Sequence, residues 1–142
     1  MTRPLTDYYI NSSHNSFLTG GQLGDPSHVD MYRRLLMLGC QCLEIDVHDP
    51  LDRSDPEAEV YHRFCPPTNK FHVKFREVLE AIHEAAFSAQ SVAASPYPII
   101  LSLEVHADIK RQVSAPARPC IALGAHWLPL IVPLIAVEFF RT

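Results

Sequence analysis

From Thr6 to Glu104 the chain alternates short apolar runs with amphipathic stretches, and the period of each stretch predicts its element. "DYYINSS", residues 7–13, reads as a strand ending in polar residues. "DPSHVDMYRRLLMLG", residues 25–39, reads as a helix, with Ser27 and Asp30 as a capping box and Gly39 as the C-terminal stop. "CQCLEIDVHD", residues 40–49, reads as a strand that points Leu43, Ile45 and Val47 one way and Cys42, Glu44 and Asp46 the other. "PLDRSDPEAE" is a turn-rich acidic loop, and "VYH", residues 60–62, a short strand. "HVKFREVLEAIHEAAFSAQ", residues 72–90, predicts a helix with Phe75, Val78, Leu79, Ile82 and Ala86 on one face. "SPYPIILSLEVH", residues 95–106, predicts a strand entered through Pro96 and Pro98, which cannot sit mid-strand.

Strand, helix, strand, strand, helix, strand is the rhythm of right-handed parallel units, so an α/β fold is expected, with strands buried on both faces. Past His106 the punctuation stops. Residues 121–140 are almost continuously apolar, near the length of a membrane span. Pro129 and Pro133 interrupt that run, and His126 and Glu138 are poorly placed in it. A buried hydrophobic tail is the expectation, with a spanning helix as the alternative.

Composition narrows the class without changing this picture. The 142 residues are 47% hydrophobic and 20% charged, which suits one soluble globular domain. A net charge of −4 with no basic run argues against a nucleic-acid partner. The four cysteines, Cys40, Cys42, Cys65 and Cys120, form no paired pattern, and Cys40 and Cys42 read as buried thiols. With no charged-then-apolar leader at the start, a reducing, cytosolic setting is expected.

The candidate chemistry lies in where the polar groups fall. His14 and Asn15 follow the first predicted strand, Glu44 and Asp46 lie at the end of the second, His62 closes the third and Glu104 the fourth. In parallel α/β folds that edge is where sites are built. At i, i+2 spacing Glu44 and Asp46 share a face, and two adjacent inward acids stay ionised only with a cation or basic group between them. A metal site, an ion pair with Arg or Lys, and plain exposure are the readings open for the pair. Asn15 and Glu104 complete a set of hard oxygen donors that suits Ca²⁺ or Mg²⁺ better than zinc; an Asn among the ligands leans towards Ca²⁺. His14 and His62 can serve as base and acid in one reaction, whereas His28, His48, His72, His83, His106 and His126 read as mostly structural. Two imidazoles and an oxygen-bound divalent cation suit phosphodiester or phosphomonoester chemistry.

Five blocks carry a family resemblance: "PLTDYYINSSHNSFLTGGQL", "MYRRLLMLGCQCLEIDVHD", "VYH", "FREVLEAIHEAAF" and "SPYPIILSLEVH". In this order they closely resemble the first half of the X region of eukaryotic phosphoinositide-specific phospholipase C, from about Arg3 to His106. The resemblance implies the N-terminal half of a (β/α)8 TIM barrel over residues 3–106, followed by a divergent apolar tail at 107–142. It implies Ca²⁺-dependent hydrolysis of phosphatidylinositol 4,5-bisphosphate to diacylglycerol and inositol 1,4,5-trisphosphate through a cyclic phosphate. On that pattern His14 stabilises the pentacovalent phosphate and His62 protonates the leaving group. Asn15, Glu44, Asp46 and Glu104 bind Ca²⁺, and Glu44 or Glu104 serves as base for the inositol 2-hydroxyl. A membrane phosphoinositide as substrate, peripheral contact with the membrane from the cytoplasm and a complementary Y-region half are implied as well. The chain departs from the pattern at His48 and Pro50 of "HDP", where the family continues Trp-Asp-Gly, at Arg63, where it has Gly, and at Val105, where it has Asn. No counterpart of the Y region is found in the chain, so impaired turnover is expected, and a non-catalytic fragment that binds Ca²⁺ or a partner half is the alternative.

Overall fold

A computed structural model of the chain describes residues 2–21, 25–62 and 72–107, together with the backbone of 134–140. Arg63, Cys65, Cys120, His126, the two tail prolines and the apolar run before Leu134 lie outside the described residues. The elements are a short 3-10 turn at Leu5–Asp7, helices α1 (Asp30–Met37) and α2 (Phe75–Phe87), and strands β1 (Cys42–His48), β2 (Glu59–Val60), β3 (Val73–Lys74), β4 (Ile99–Val105) and β5 (Leu134–Phe140). The strands form one sheet in the order β3-β2-β1-β4-β5. The class is α/β, and the sheet with its two helices fits one side of a partial TIM barrel.

Pairing is parallel only in part. β1 pairs β4 in parallel and β4 pairs β5 in parallel, but β2 runs antiparallel to β1, and β3 antiparallel to β2. The expected run of parallel units therefore holds only for β1 and β4; β5 lies in the tail, where no strand was expected. The ten residues between β1 and β2 are too few for a helical crossover, so the chain returns as a hairpin. His72 to Lys74, expected at the start of the second helix, instead lie before it, with Val73 and Lys74 forming β3. The first expected strand does not form either. Residues 8–13 make one isolated parallel bridge, Ser12 to Cys42, and Tyr9 is fully exposed. Among the described residues nothing pairs with the outer side of this segment, which gains too little burial to extend the ladder.

α1 starts later than its sequence pattern, because Pro26, Ser27 and His28 pair back onto the chain. Ser27 bridges Leu18, and the His28 N–H donates to Phe17 O at 2.8 Å. The expected capping box is absent: the N-cap is Val29, the Ser27 side chain is buried, and Nδ1 of His28 accepts from the Asp30 N–H at 3.1 Å. The C-terminal stop is as read. Gly39 has φ +83°, its N–H donates to Leu36 O, and the Cys40 N–H donates to Leu35 O, the paired bonds of a Schellman motif.

The core lies between the helices and one face of the sheet. Leu43, Ile45 and Val47 of β1 stand in register with Leu101, Leu103 and Val105 of β4, and all six are buried against Tyr32, Leu36, Val78 and Ile82. β4 alternates strictly between buried and half-buried residues, so the expected burial on both faces holds only for the end of β1, Ile45 to His48. Cys40 is buried as expected, but Cys42 lies on the partly open face. Among the described residues no helix is long and apolar enough to cross a membrane, and Leu134–Phe140 is strand β5; residues 121–133 of the apolar run lie outside them. An apolar cavity bordered by Tyr8, Tyr9, Ile10, Tyr97 and Pro98 opens by the starts of β1 and β4, away from the polar groups described next.

Candidate active site

The parallel register of β1 and β4 sets polar residues into rungs on the face away from the helices. Glu44 stands beside Ser102 and Asp46 beside Glu104. The His106 N–H donates to Val47 O at 2.8 Å, which carries the ladder past Val105 and brings His106 alongside His48. Their rings stack at 4.5 Å between centroids. Glu44 and Glu104 are half-buried, while Asp46 and His48 are buried.

The His14–Asn15 turn comes to Glu44 because β1 has two edges. β4 takes one along Cys42–Val47; the other holds the Ser12 bridge at Cys42 and β2 at Val47 and His48. Between them, level with Glu44, sits the turn. The Ser13 N–H donates to Cys42 O at 3.0 Å, and Asn15, buried and at φ +47°, donates its N–H to Oε2 of Glu44 at 2.5 Å. Asparagine tolerates this left-handed conformation better than most residues. Ser16 Oγ accepts from the Glu44 N–H at 2.9 Å and is paired with Ser13 Oγ. Nε2 of His14 lies 3.8 Å from Oε2 of Glu44, with its side chain 75% exposed. Among the described residues the basic side chain beside Glu44 is thus an imidazole.

These contacts join His14, Asn15 and Glu44, and strand register joins Asp46 to Glu104. His62 is half-buried and lies two residues past the end of β2, so among the described strand pairs none includes it.

Negative potential collects here. The Tyr32 hydroxyl, fully buried, donates to Glu44 O at 3.1 Å. Burial pushes its pKa well above the ordinary phenol value, and the charges of Asp46 and Glu44 push it further. One oxygen of Glu44 takes the Asn15 N–H, which leaves the other for a cation. The donor set Asn15, Glu44, Asp46 and Glu104 is all oxygen and mostly anionic, so its chemistry fits a hard divalent cation.

Sequence reasoning left His48, His72 and His106 aside. In the structure three imidazoles and a phenol form one column: His106 stacks on His48, His48 on Tyr61 at 4.1 Å, and Tyr61 on His72 at 4.0 Å. Each end meets a carboxylate, with Nε2 of His106 3.4 Å from Oε2 of Glu104 and Nδ1 of His72 3.2 Å from Oε2 of Glu59. The signal was the alternation itself: 44, 46, 48 on one strand and 104, 106 on the next share a face.

A model of the family "Phosphatidylinositol-specific phospholipase C, X domain" matches residues 1–120. The chain is 45% identical over 120 residues to 1-phosphatidylinositol 4,5-bisphosphate phosphodiesterase beta-2 of Homo sapiens, covering 84% of this chain and 9% of that protein. It is 37% identical over 124 residues to the delta-3 protein of Homo sapiens, covering 87% of this chain and 14% of that one. Among solved structures, PLC21 of S. officinalis superimposes with a TM-score of 0.65 at 40% identity, covering 87% of this chain and 14% of that one. The chain therefore belongs to the phosphatidylinositol-specific phospholipase C X-domain family. It spans about a tenth of the length of the curated beta relatives it matches.

Proposed function

We propose that this chain carries the calcium-binding and imidazole part of a phosphoinositide phospholipase C, acting on phosphatidylinositol 4,5-bisphosphate at a membrane surface. The relatives are named for that phosphodiester, and the reading is carried here by the contact of the His14–Asn15 turn with Glu44. Asn15, Glu44, Asp46 and Glu104 would hold Ca²⁺, which supplies charge stabilisation at phosphate oxygens and acidifies a bound hydroxyl. His14, three-quarters exposed, is open to a phosphate arriving from solvent and in its protonated form stabilises charge on it. Glu44 or Glu104 accepts the proton of the inositol 2-hydroxyl, and His62 returns one to the diacylglycerol oxygen as the bond to phosphorus breaks. A cyclic phosphate results, which water opens to inositol 1,4,5-trisphosphate. Residues 3–106 form the X region and 107–142 a divergent tail; the enzyme acts from the cytoplasm as a peripheral protein.

A second reading, a non-catalytic fragment that binds Ca²⁺ or a partner half, is favoured by Arg63, which follows His62 where the family has Gly. Inositol phosphate release from phosphoinositide vesicles, with Ca²⁺ titrated, separates the two. Calcium-dependent release abolished by His14→Ala supports the enzyme. Calorimetric Ca²⁺ binding without product, lost in Asp46→Ala, supports the fragment. Binding that is unchanged in Asp46→Ala refutes the ligand set.

A further inference from the structure

We propose that His48 and His72 clamp Tyr61 between their rings and thereby act as positioning residues for His62, the next residue in the chain. β2 ends at Val60, so none of the described strand pairs fixes His62. Strand register nevertheless brings two rings to Tyr61. Glu59 faces Lys74 and Val60 faces Val73, so one step further Tyr61 faces His72. Glu59 also faces His48, which places Tyr61 on the diagonal from His48, within reach of an aromatic ring.

Both rings lie nearly flat on Tyr61, His48 at 4.1 Å and 19°, His72 at 4.0 Å and 14°. Each has a backing of its own. His106 stacks on His48 at 4.5 Å and 15°, and Nδ1 of His72 lies 3.2 Å from Oε2 of Glu59, itself held by Lys74 at 2.7 Å. The Tyr61 hydroxyl donates to Asp49 O at 3.4 Å, a weak bond that leaves the stack as the main restraint on the ring. Holding the ring holds the Tyr61 backbone, and consecutive Cα atoms stand about 3.8 Å apart, so His62 projects from a fixed origin. His62 is half-buried with its Nδ1 buried, as a ring held in one place requires. A general acid works only with its proton within hydrogen-bond reach of the leaving oxygen, so slack at Tyr61 lowers turnover. That consequence rests on His62 as the acid; the clamp does not. His48 stands where the family has Trp, so a flat ring is kept on that side of Tyr61 by a different residue.

Carbethoxylation of histidines by diethyl pyrocarbonate, mapped by peptide in the full 142-residue chain, reads the clamp without needing turnover. His14, 75% exposed, is the reference for the reagent, and half-buried His83 on α2 reports general loosening. His72→Asn removes the ring but keeps a hydrogen-bonding group for Glu59; His72→Phe keeps a ring and removes that group. His72→Asn should raise the rate at His62 about two- to tenfold, the range that losing one stacked pair gives, with His83 unchanged. His72→Phe should match the parent, and His48→Ser against His48→Trp should repeat the contrast on the other side of Tyr61. An unchanged rate at His62 in either His72→Asn or His48→Ser overturns the proposal. So does a rate that rises equally in His72→Asn and His72→Phe, which would assign the restraint to the Glu59 bond. If His83 rises with His62 in both ring-removing variants, the stack supports the whole domain and the proposal again falls. Inositol phosphate release is the second arm: His72→Asn should lower kcat at unchanged KM, and His72→Phe should restore it. If reactivity at His62 follows the stack but His62→Ala leaves release unchanged, the acid reading fails and the clamp stands.

Discussion

The backbone N–H of Asn15 donates to the Glu44 carboxylate at 2.5 Å, from a residue at φ +47°. This bond pins the turn after Ser13 against β1, and it uses main chain, not the carboxamide. Asn15→Gly therefore keeps the bond and suits the left-handed backbone, with a stability change within about 1 kcal/mol in urea unfolding. Under the calcium reading the same variant loses a ligand, and Ca²⁺ affinity by calorimetry should fall at least tenfold, about 1.4 kcal/mol. Unchanged affinity removes Asn15 from the ligand set.

At Gly39, with φ +83°, an added Cβ meets nothing within 4 Å. The cost of Gly39→Ala is then conformational only, about 1–2 kcal/mol. A lower urea midpoint at unchanged m-value is the expected result. A neutral variant would mean that the C-terminal end of α1 can rearrange.

Tyr32 is fully buried, and its hydroxyl donates to the carbonyl of Glu44 at 3.1 Å. Tyr32→Phe removes the donor and leaves that carbonyl short of a partner, for a loss of about 1–2 kcal/mol. Burial first, then Asp46 and Glu44, push the phenol upward, so its ultraviolet titration should appear only on alkaline unfolding. Reversible titration at the ordinary tyrosine pH would contradict that burial.

Glu59 sits between Lys74, whose Nζ is 2.7 Å from Oε1, and His72, with the Leu51 N–H as a further donor. Burial pushes its carboxyl up, but bonds from Lys74, Leu51 and His72 outweigh burial and hold it below its usual value. A depressed acid contributes stability that is full above the unfolded pKa, about 4.3, and is lost as pH falls through the lower folded value. Urea midpoints should thus fall with acidification below about pH 4. Lys74→Met removes the strongest of the opposing bonds, so the loss should begin at higher pH. The same acid profile in both proteins would exclude Glu59 as the group responsible.

The sequence alone determined which residues are available and which of them share a face. Leu43, Ile45 and Val47 against Glu44 and Asp46 follow from a two-residue period, and the apolar stripe of α2 from a 3.6-residue period. Local backbone chemistry such as the Gly39 stop was equally legible, because it needs no distant partner. Tertiary structure decided what required one. Whether residues 8–13 formed a strand, whether Ser27 capped a helix or paired with Leu18, and whether β2 ran with or against β1 depended on competition for strand edges. The site shows the same division. The acids were visible as a pattern on one strand, but Asp46 meets Glu104, and His48 meets His106, only through the register of β1 with β4. Register is set by packing Leu43, Ile45 and Val47 onto Leu101, Leu103 and Val105, since a slip of one residue would turn that apolar row away from the helices.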